Sequence, residues 1–172
     1  HVLSLSGEKR NPTDLLRDPA LVPDPLLSRL ISCEIDPSRD LYHPDWDEVR
    51  RAHGDHYERL TGHLLHSHAI HYYGEQELRA AGFPKTPDYR LALPVGLDGQ
   101  PVCWVESKAV FGEPTAHGDY HRDQYTPYLN RFGPGAVVYW HGFVDELDKR
   151  GEDGVVLFDG DSFRAALSTV QH

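Results

Sequence analysis

Apolar positions recur every three or four residues from Asp45 to about Ala69, with Trp46, Val49, His53, Tyr57, Leu60 and Leu64 along one stripe. That is the period of an amphipathic helix, and it predicts one long helix there. Gly54, Glu58 and Gly62 fall on a second line at i, i+4 spacing. A mid-helix glycine costs about 1 kcal/mol relative to alanine, so the expected compensation is close approach of another element. "AIHYY" (69–73) reads as a short strand, and "GEQELRAAGF" as a short helix ending at Gly82, with glycine in its usual place after a helix. "PDYRLALPV" and "QPVCWVESKAV" flank "GLDG" and predict a β-hairpin, since Asp-Gly is a strong turn signal. "DYHRDQYTPYLNRF" is a helix candidate that Pro127 must kink or split, and "GPG" stops it. "AVVYWHGF" (136–143) is an unbroken apolar run, as in a strand covered on both faces. "GVVLF" (154–158) predicts another strand, and Asp161 is the expected N-cap of a last helix through about Val170.

The order helix, strand, helix, hairpin, helix, buried strand, strand, helix predicts a mixed sheet with helices on it, an α/β or α+β fold. Residues 1–44 are rich in Pro, Asp and Ser, and repeated proline prevents a long helix there. The expected organisation is therefore a Pro-rich arm or linker over 1–44 and a single domain over 45–172.

Composition changes this picture little. A chain of 172 residues, 39% hydrophobic and 26% charged, suffices for one domain with a proper core. No run of eighteen apolar residues appears, so no membrane span is expected, nor is a secretory leader. The chain does not begin with Met, which predicts a fragment or a trimmed chain. Cys33 and Cys103 have no CxxC spacing and read as thiols in a reducing compartment rather than as a disulfide. The net charge of −10 is a poor electrostatic match for nucleic acid, softened if some of the 12 histidines are protonated.

The chemistry concentrates in "WVESKAV" (104–110), which reads as a buried strand yet carries Glu106 and Lys108 on one face. Burying such a pair is expensive and is weak evidence for stability. The hairpin register decides what surrounds them. With Asp98-Gly99 as a two-residue loop, Asp88 lies opposite Ala109 and points away from both charges. With a three-residue loop, Leu97-Asp98-Gly99, Asp88 faces Lys108, Arg90 faces Glu106, and Asp88 and Glu106 become diagonal neighbours about 7 Å apart at Cβ. Both registers suit the sequence locally. Only the longer loop gathers Asp, Glu and Lys into one pocket, and it is the register expected, with a positive φ at Gly99. Two carboxylates with only oxygen donors suit Mg²⁺ or Mn²⁺, with the Ser107 carbonyl as a further ligand. Lys108 would then orient or deprotonate a water, or stabilise charge on a reacting phosphate.

Pro87-Asp88 followed by Glu106-Ser107-Lys108 across a hairpin resembles the PD-(D/E)xK nuclease superfamily. More closely, "KTPDYRL", "WVESKAVFG", "DQYTPYLNRFGPG", "VYWHGF" and the early "VPDPLL" are similar to the TPD-motif, or codanin-interacting nuclease, family. The resemblance implies a restriction-endonuclease-like core with flanking helices and a Mg²⁺- or Mn²⁺-dependent nuclease acting on DNA, structured, branched or single-stranded. It maps the superfamily's first-helix acidic residue onto Glu58, as a catalytic and metal-site residue, and the substrate-positioning QxxxY pattern onto Gln124 and Tyr128. It also implies a codanin-like scaffold partner and an intracellular location in nucleus and cytoplasm. Family members carry an N-terminal helical, DNA-binding region ahead of this point, so the resemblance implies that part of the DNA affinity lies outside this chain. The alternative is a nuclease-fold module that binds the scaffold with little or no catalysis, which the acidic charge and the Pro-rich arm favour.

Other signals are weaker. His117 and His121 have the i, i+4 spacing of a helical metal pair, and His63, His66, His68 and His71 crowd one segment. Zinc needs three or four ligands, and no HExxH motif or Cys pair supplies the rest. His117 and His121 are instead expected to line the cleft and touch phosphate. Arg90, Lys85, Arg122 and Arg131 are the nearest cations for a nucleic-acid backbone. "RFGPG" reads as a helix stop, and Trp140 as core.

Overall fold

In the computed structural model, residues 18–22, 24, 25, 28, 29, 31, 32, 44–149 and 151–170 are described. Half of "VPDPLL" (residues 23, 26 and 27) and Cys33 lie outside them. The chain divides into two compact units, His1–His56 and Tyr57–His172. Described residues of the first form a 3-10 turn, Pro19–Leu21, and the opening of helix α1, Pro44–Ser67. The second unit holds the rest of α1 and the whole sheet. Along it run β1 Tyr72–Gly74, α2 Glu75–Ala80, β2 Tyr89–Leu97 and β3 Gln100–Lys108. Then come α3 Pro114–Tyr120, a π-helical turn His121–Tyr125, α4 Thr126–Phe132, β4 Gly135–Tyr139, β5 Val155–Phe158 and α5 Gly160–Ser168.

The five strands lie in sequence order. β1/β2 and β2/β3 are antiparallel, while β3/β4 and β4/β5 are parallel. Each parallel step needs a crossover, and α3, the π turn and α4 provide the first. The mixed α/β sheet expected from the sequence is thus the sheet observed. Its two faces bury separate clusters. Leu65, Leu91, Val105, Val138 and Phe163 belong to one, and Trp104, Tyr125, Tyr128, Val137 and Tyr139 to the other. Every residue of β4 is buried, because helices cover both faces.

The hairpin departs from the three-residue loop. Leu97 pairs with Gln100, and Asp98 and Gly99 both have positive φ, 48° and 74°. This is the two-residue, type I′ geometry that Asp-Gly favours, because its twist matches that of the strands. The positive φ at Gly99 is as expected, but the register derived from the longer loop is wrong. A bulge then changes the register further along. Val95 pairs with Val102, yet Arg90 pairs with Trp104 and Tyr89 with Val105. Leu91, Ala92, Leu93 and Pro94 thus stand opposite Cys103 alone, so β2 carries three extra residues. An odd insertion reverses which face each later side chain takes. Continued one step, the register sets Asp88 opposite Glu106 rather than Lys108, and Arg90 opposite Trp104 rather than Glu106.

Smaller differences have local causes. The last helix is capped by Asp159, whose carboxylate accepts from the Asp161 and Ser162 amides at 3.1 and 2.7 Å, rather than by Asp161. β1 is Tyr72–Gly74 rather than 69–73, since Ala69, at φ 54°, ends the turn after α1. Among the described residues no helix is long and apolar enough to cross a membrane.

The two glycines of α1 separate cleanly. A Cβ on Gly62 would lie 2.7 Å from the Tyr89 hydroxyl and 3.1 Å from that of Tyr72, whereas one on Gly54 meets nothing within 4 Å. Close approach therefore accounts for Gly62 alone. Gly62→Ala should destabilise the chain by about 1–3 kcal/mol in urea unfolding despite its better helix propensity. Gly54→Ala should stabilise it by about 0.5–1 kcal/mol; equal effects at both positions would contradict the packing.

Candidate active site

Asp88 sits one residue before β2, and Glu106 and Lys108 lie near the end of β3, all on the sheet face that Trp104 shares. Each carboxylate accepts from a backbone amide of the segment opposite. The Asp88 amide donates to Glu106 Oε2 at 3.2 Å, and the Ser107 amide donates to Asp88 Oδ2 at 2.8 Å. The Ser107 backbone therefore faces the β2 side, and its carbonyl points the same way, as both groups of a strand residue do. The residue opposite Ser107 in this register is Pro87, which has no N–H to give. Proline followed by aspartate thus ends the ladder, with the Ser107 carbonyl receiving no N–H from Pro87.

Lys108 is held from three directions. Its Nζ donates to Glu106 Oε1 and to Gln124 Oε1, both at 2.8 Å, and lies 4.6 Å from the centroid of the Tyr120 ring. Gln124 comes from the π turn, where one extra residue per turn swings the side chain off the regular helical face. Tyr120 is a site residue that the sequence pattern did not single out. The available signal was its position four residues before Gln124, which places both on one side of the helix.

The electrostatics are those of two acids crowded together. Burial, then the charge of Glu106 and, more weakly, that of Glu58, hold the Asp88 carboxyl well above its ordinary range, against the Ser107 amide, which lowers it. Burial also raises Glu106, opposed mainly by Lys108. Glu58 is half-buried on α1, and its carbonyl accepts from the Tyr89 hydroxyl at 2.7 Å. Among the described residues no three His, Cys, Asp or Glu side chains converge to hold a metal. The charge of Glu58 is felt at Asp88. The donor set still fits a hard cation, because two crowded carboxyls and a backbone carbonyl are all oxygen.

The remaining candidates have other surroundings. Tyr128 is buried against Trp104, with ring centroids 5.3 Å apart. His117 is 9% exposed, its Nδ1 lies 3.0 Å from the Tyr139 hydroxyl, and burial lowers its pKa. Burial thus withdraws His117 from the cleft-lining role expected of it. His121 Nε2 lies 3.7 Å from Asp153, too far for a hydrogen bond. Arg90 stacks over Tyr73 at 5.5 Å, and Arg122 pairs with Asp119 and Asp123 at 2.9 Å. Lys85 and Arg131 both donate to backbone carbonyls. Trp140 is core, and its Nε1 donates to Ser107 Oγ at 3.0 Å.

Sheet, flanking helices and the acidic cluster at the hairpin define an α/β domain consistent with a restriction-endonuclease-like core. Residues 31–161 match the family model described as "Protein of unknown function TPD sequence-motif". The chain belongs to this TPD-motif family, that of the codanin-interacting nucleases. It is 42% identical over 149 residues to the "CDAN1-interacting nuclease 1" of Xenopus tropicalis, which covers 86% of this chain and 48% of that protein. The human protein of that name is 41% identical over 144 residues, 83% of this chain and 50% of its own length. The zebrafish protein, Danio rerio, is 40% identical over 148 residues, 86% of this chain and 49% of its own length. The chain spans about half the length of these curated relatives. No solved structure matches it.

The raised carboxyls have a consequence for stability. A group with a raised folded-state pKa loses its proton in the unfolded chain first as pH rises. Its cost to stability therefore builds up from the ordinary carboxyl range, near pH 4, to its folded value and is fully present above that. Asp88→Asn keeps an oxygen for the Ser107 amide and removes the charge. It should raise Tm at pH 8 by about 2–4 °C, with the gain shrinking as pH falls toward about 4. A gain independent of pH, or a loss at pH 8, would contradict the crowding of the two acids.

Proposed function

We propose that this chain is the catalytic part of a metal-dependent nuclease that hydrolyses DNA phosphodiester bonds, including those of structured or branched DNA. The observation that carries this reading is the convergence of Asp88, Glu106 and Lys108 at the hairpin, with Lys108 held by Gln124. Asp88, Glu106 and the Ser107 carbonyl would hold Mg²⁺ or Mn²⁺, and such an ion polarises a phosphodiester and makes bound water more acidic. Lys108, fixed between Glu106 and Gln124, presents its remaining donor capacity to a phosphate oxygen or to the attacking water. Gln124 keeps Lys108 from collapsing wholly onto Glu106. Glu58 adds negative charge that favours cation binding at Asp88. Half-buried Asp88 and Lys108 remain open to a substrate, whereas Glu106 is 5% exposed and works from below.

A second reading is a scaffold-binding module, supported by the relatives' name, CDAN1-interacting nuclease 1, and by the net charge of −10. A codanin-like partner is compatible with catalysis, since a nuclease is also recruited to its substrate. Such recruitment would place the protein in nucleus and cytoplasm. The two readings differ in a divalent-ion titration followed by thermal melting, because an ion that binds only the native state raises Tm.

The purified chain should cleave DNA with Mg²⁺ or Mn²⁺. Asp88→Ala and Lys108→Ala should each lower the rate by at least about a hundredfold while the circular-dichroism spectrum stays native. Wild-type rates in both variants would refute the nuclease reading.

A further inference from the structure

We propose that Lys85 is a positioning residue for Lys108, acting as a clasp between the segment that carries Asp88 and the helical turn that carries Gln124. The inference rests on the nuclease reading and adds a residue that does not touch the substrate.

The clasp begins with a proline. Pro127 stands at the start of α4 and has no N–H to return to the carbonyl of Asp123, four residues earlier. Lys85 Nζ donates to that carbonyl at 2.6 Å. A side chain distant in sequence thus supplies the donor that the helix lacks. The tie is reciprocal, because Arg131 Nη1, on α4, donates to the Lys85 carbonyl at 3.0 Å. Arg131 also lies 5.6 Å from the Phe83 ring and 5.8 Å from the Phe132 ring, and those two rings meet edge-on at 5.5 Å. Two charge-assisted bonds and an aromatic contact therefore join the segment before β2 to the π turn and α4.

The placement of this clasp gives it a consequence. Lys85 is three residues before Asp88, and Asp123 immediately precedes Gln124. One end of the tie therefore sets the approach of a carboxylate to Glu106, and the other sets the approach of Gln124 Oε1 to Lys108 Nζ. A π turn has an alternative, since loss of the extra residue from its turn returns it to regular helix and rotates Gln124. The bond from Lys85 to Asp123 opposes that rotation at the residue next to Gln124. Lys85 was one of the cations expected to meet a nucleic-acid backbone, but its ammonium is engaged with Asp123.

A double-mutant cycle on the whole chain tests this. Lys85→Met should lower kcat about fivefold to tenfold with little change in KM, and Lys85→Arg should recover most of the loss. Pro127→Ala restores an N–H that can bond to the Asp123 carbonyl, so Lys85→Met in that background should cost about twofold or less. Amide hydrogen exchange at Gln124 and Tyr125 should quicken in Lys85→Met and return toward wild type in the double variant. A loss confined to KM, an equal loss in both backgrounds, or unaltered exchange would overturn the clasp. Absence of divalent-dependent cleavage in the wild-type chain would instead defeat the nuclease reading, and the exchange experiment would then decide the clasp alone.

Discussion

The candidate site depends on an odd number of residues. A type I′ turn at Asp98-Gly99, continued without interruption, would turn Asp88 to the face opposite Glu106 and leave each acid in a different environment. Three extra residues in β2, opposite Cys103, reverse the alternation and bring the two carboxylates to facing positions. The bulge falls where this strand tolerates one. Leu93 is 75% exposed and Pro94 cannot join a ladder, so neither a buried side chain nor a central hydrogen bond is lost.

Around that pairing the charges compensate one another in turn. Glu106 accepts from the Asp88 amide and Asp88 from the Ser107 amide, Lys108 partly neutralises Glu106, and Gln124 shares the lysine. Gln124 reaches it because the crossover helix is widened by a π turn before Pro127 and packed onto Trp104 through Tyr125 and Tyr128. A structural ion pair has no need of two crowded acids with raised pKa values and a carbonyl facing a proline. A cation and a phosphate, as proposed for this site, would complete them, and burying such charges is weak evidence for stability.

Much of this could be read along the chain. The long helix, the hairpin and the fully buried β4 follow from period and turn chemistry, and Glu106 and Lys108 stand out as charges in an apolar strand. Asp88, by contrast, was joined to them through a register that the structure does not have. The turn type did not follow. With regular pairing on both strands, only a three-residue loop gathers the three charges, whereas a bulge achieves the same with the turn that Asp-Gly prefers. Pro94 was the visible signal, because proline inside a strand marks an edge or a bulge. Tyr120 and the true partners of Lys85, His117 and Arg90 were not legible, because each depends on a tertiary neighbour: Lys108, Asp123, Tyr139 and Tyr73. The π turn was hidden for the same reason, as Pro127 announced a break without saying which way the helix would accommodate it.

The most direct test of the facing carboxylates is an NMR pH titration of the Asp88 and Glu106 side-chain carboxyl carbons, without and with Mg²⁺. The account predicts that both titrate above the ordinary carboxyl range, that each curve senses the other, and that Mg²⁺ moves both downward. Two independent titrations in the ordinary range, unchanged by Mg²⁺, would contradict it.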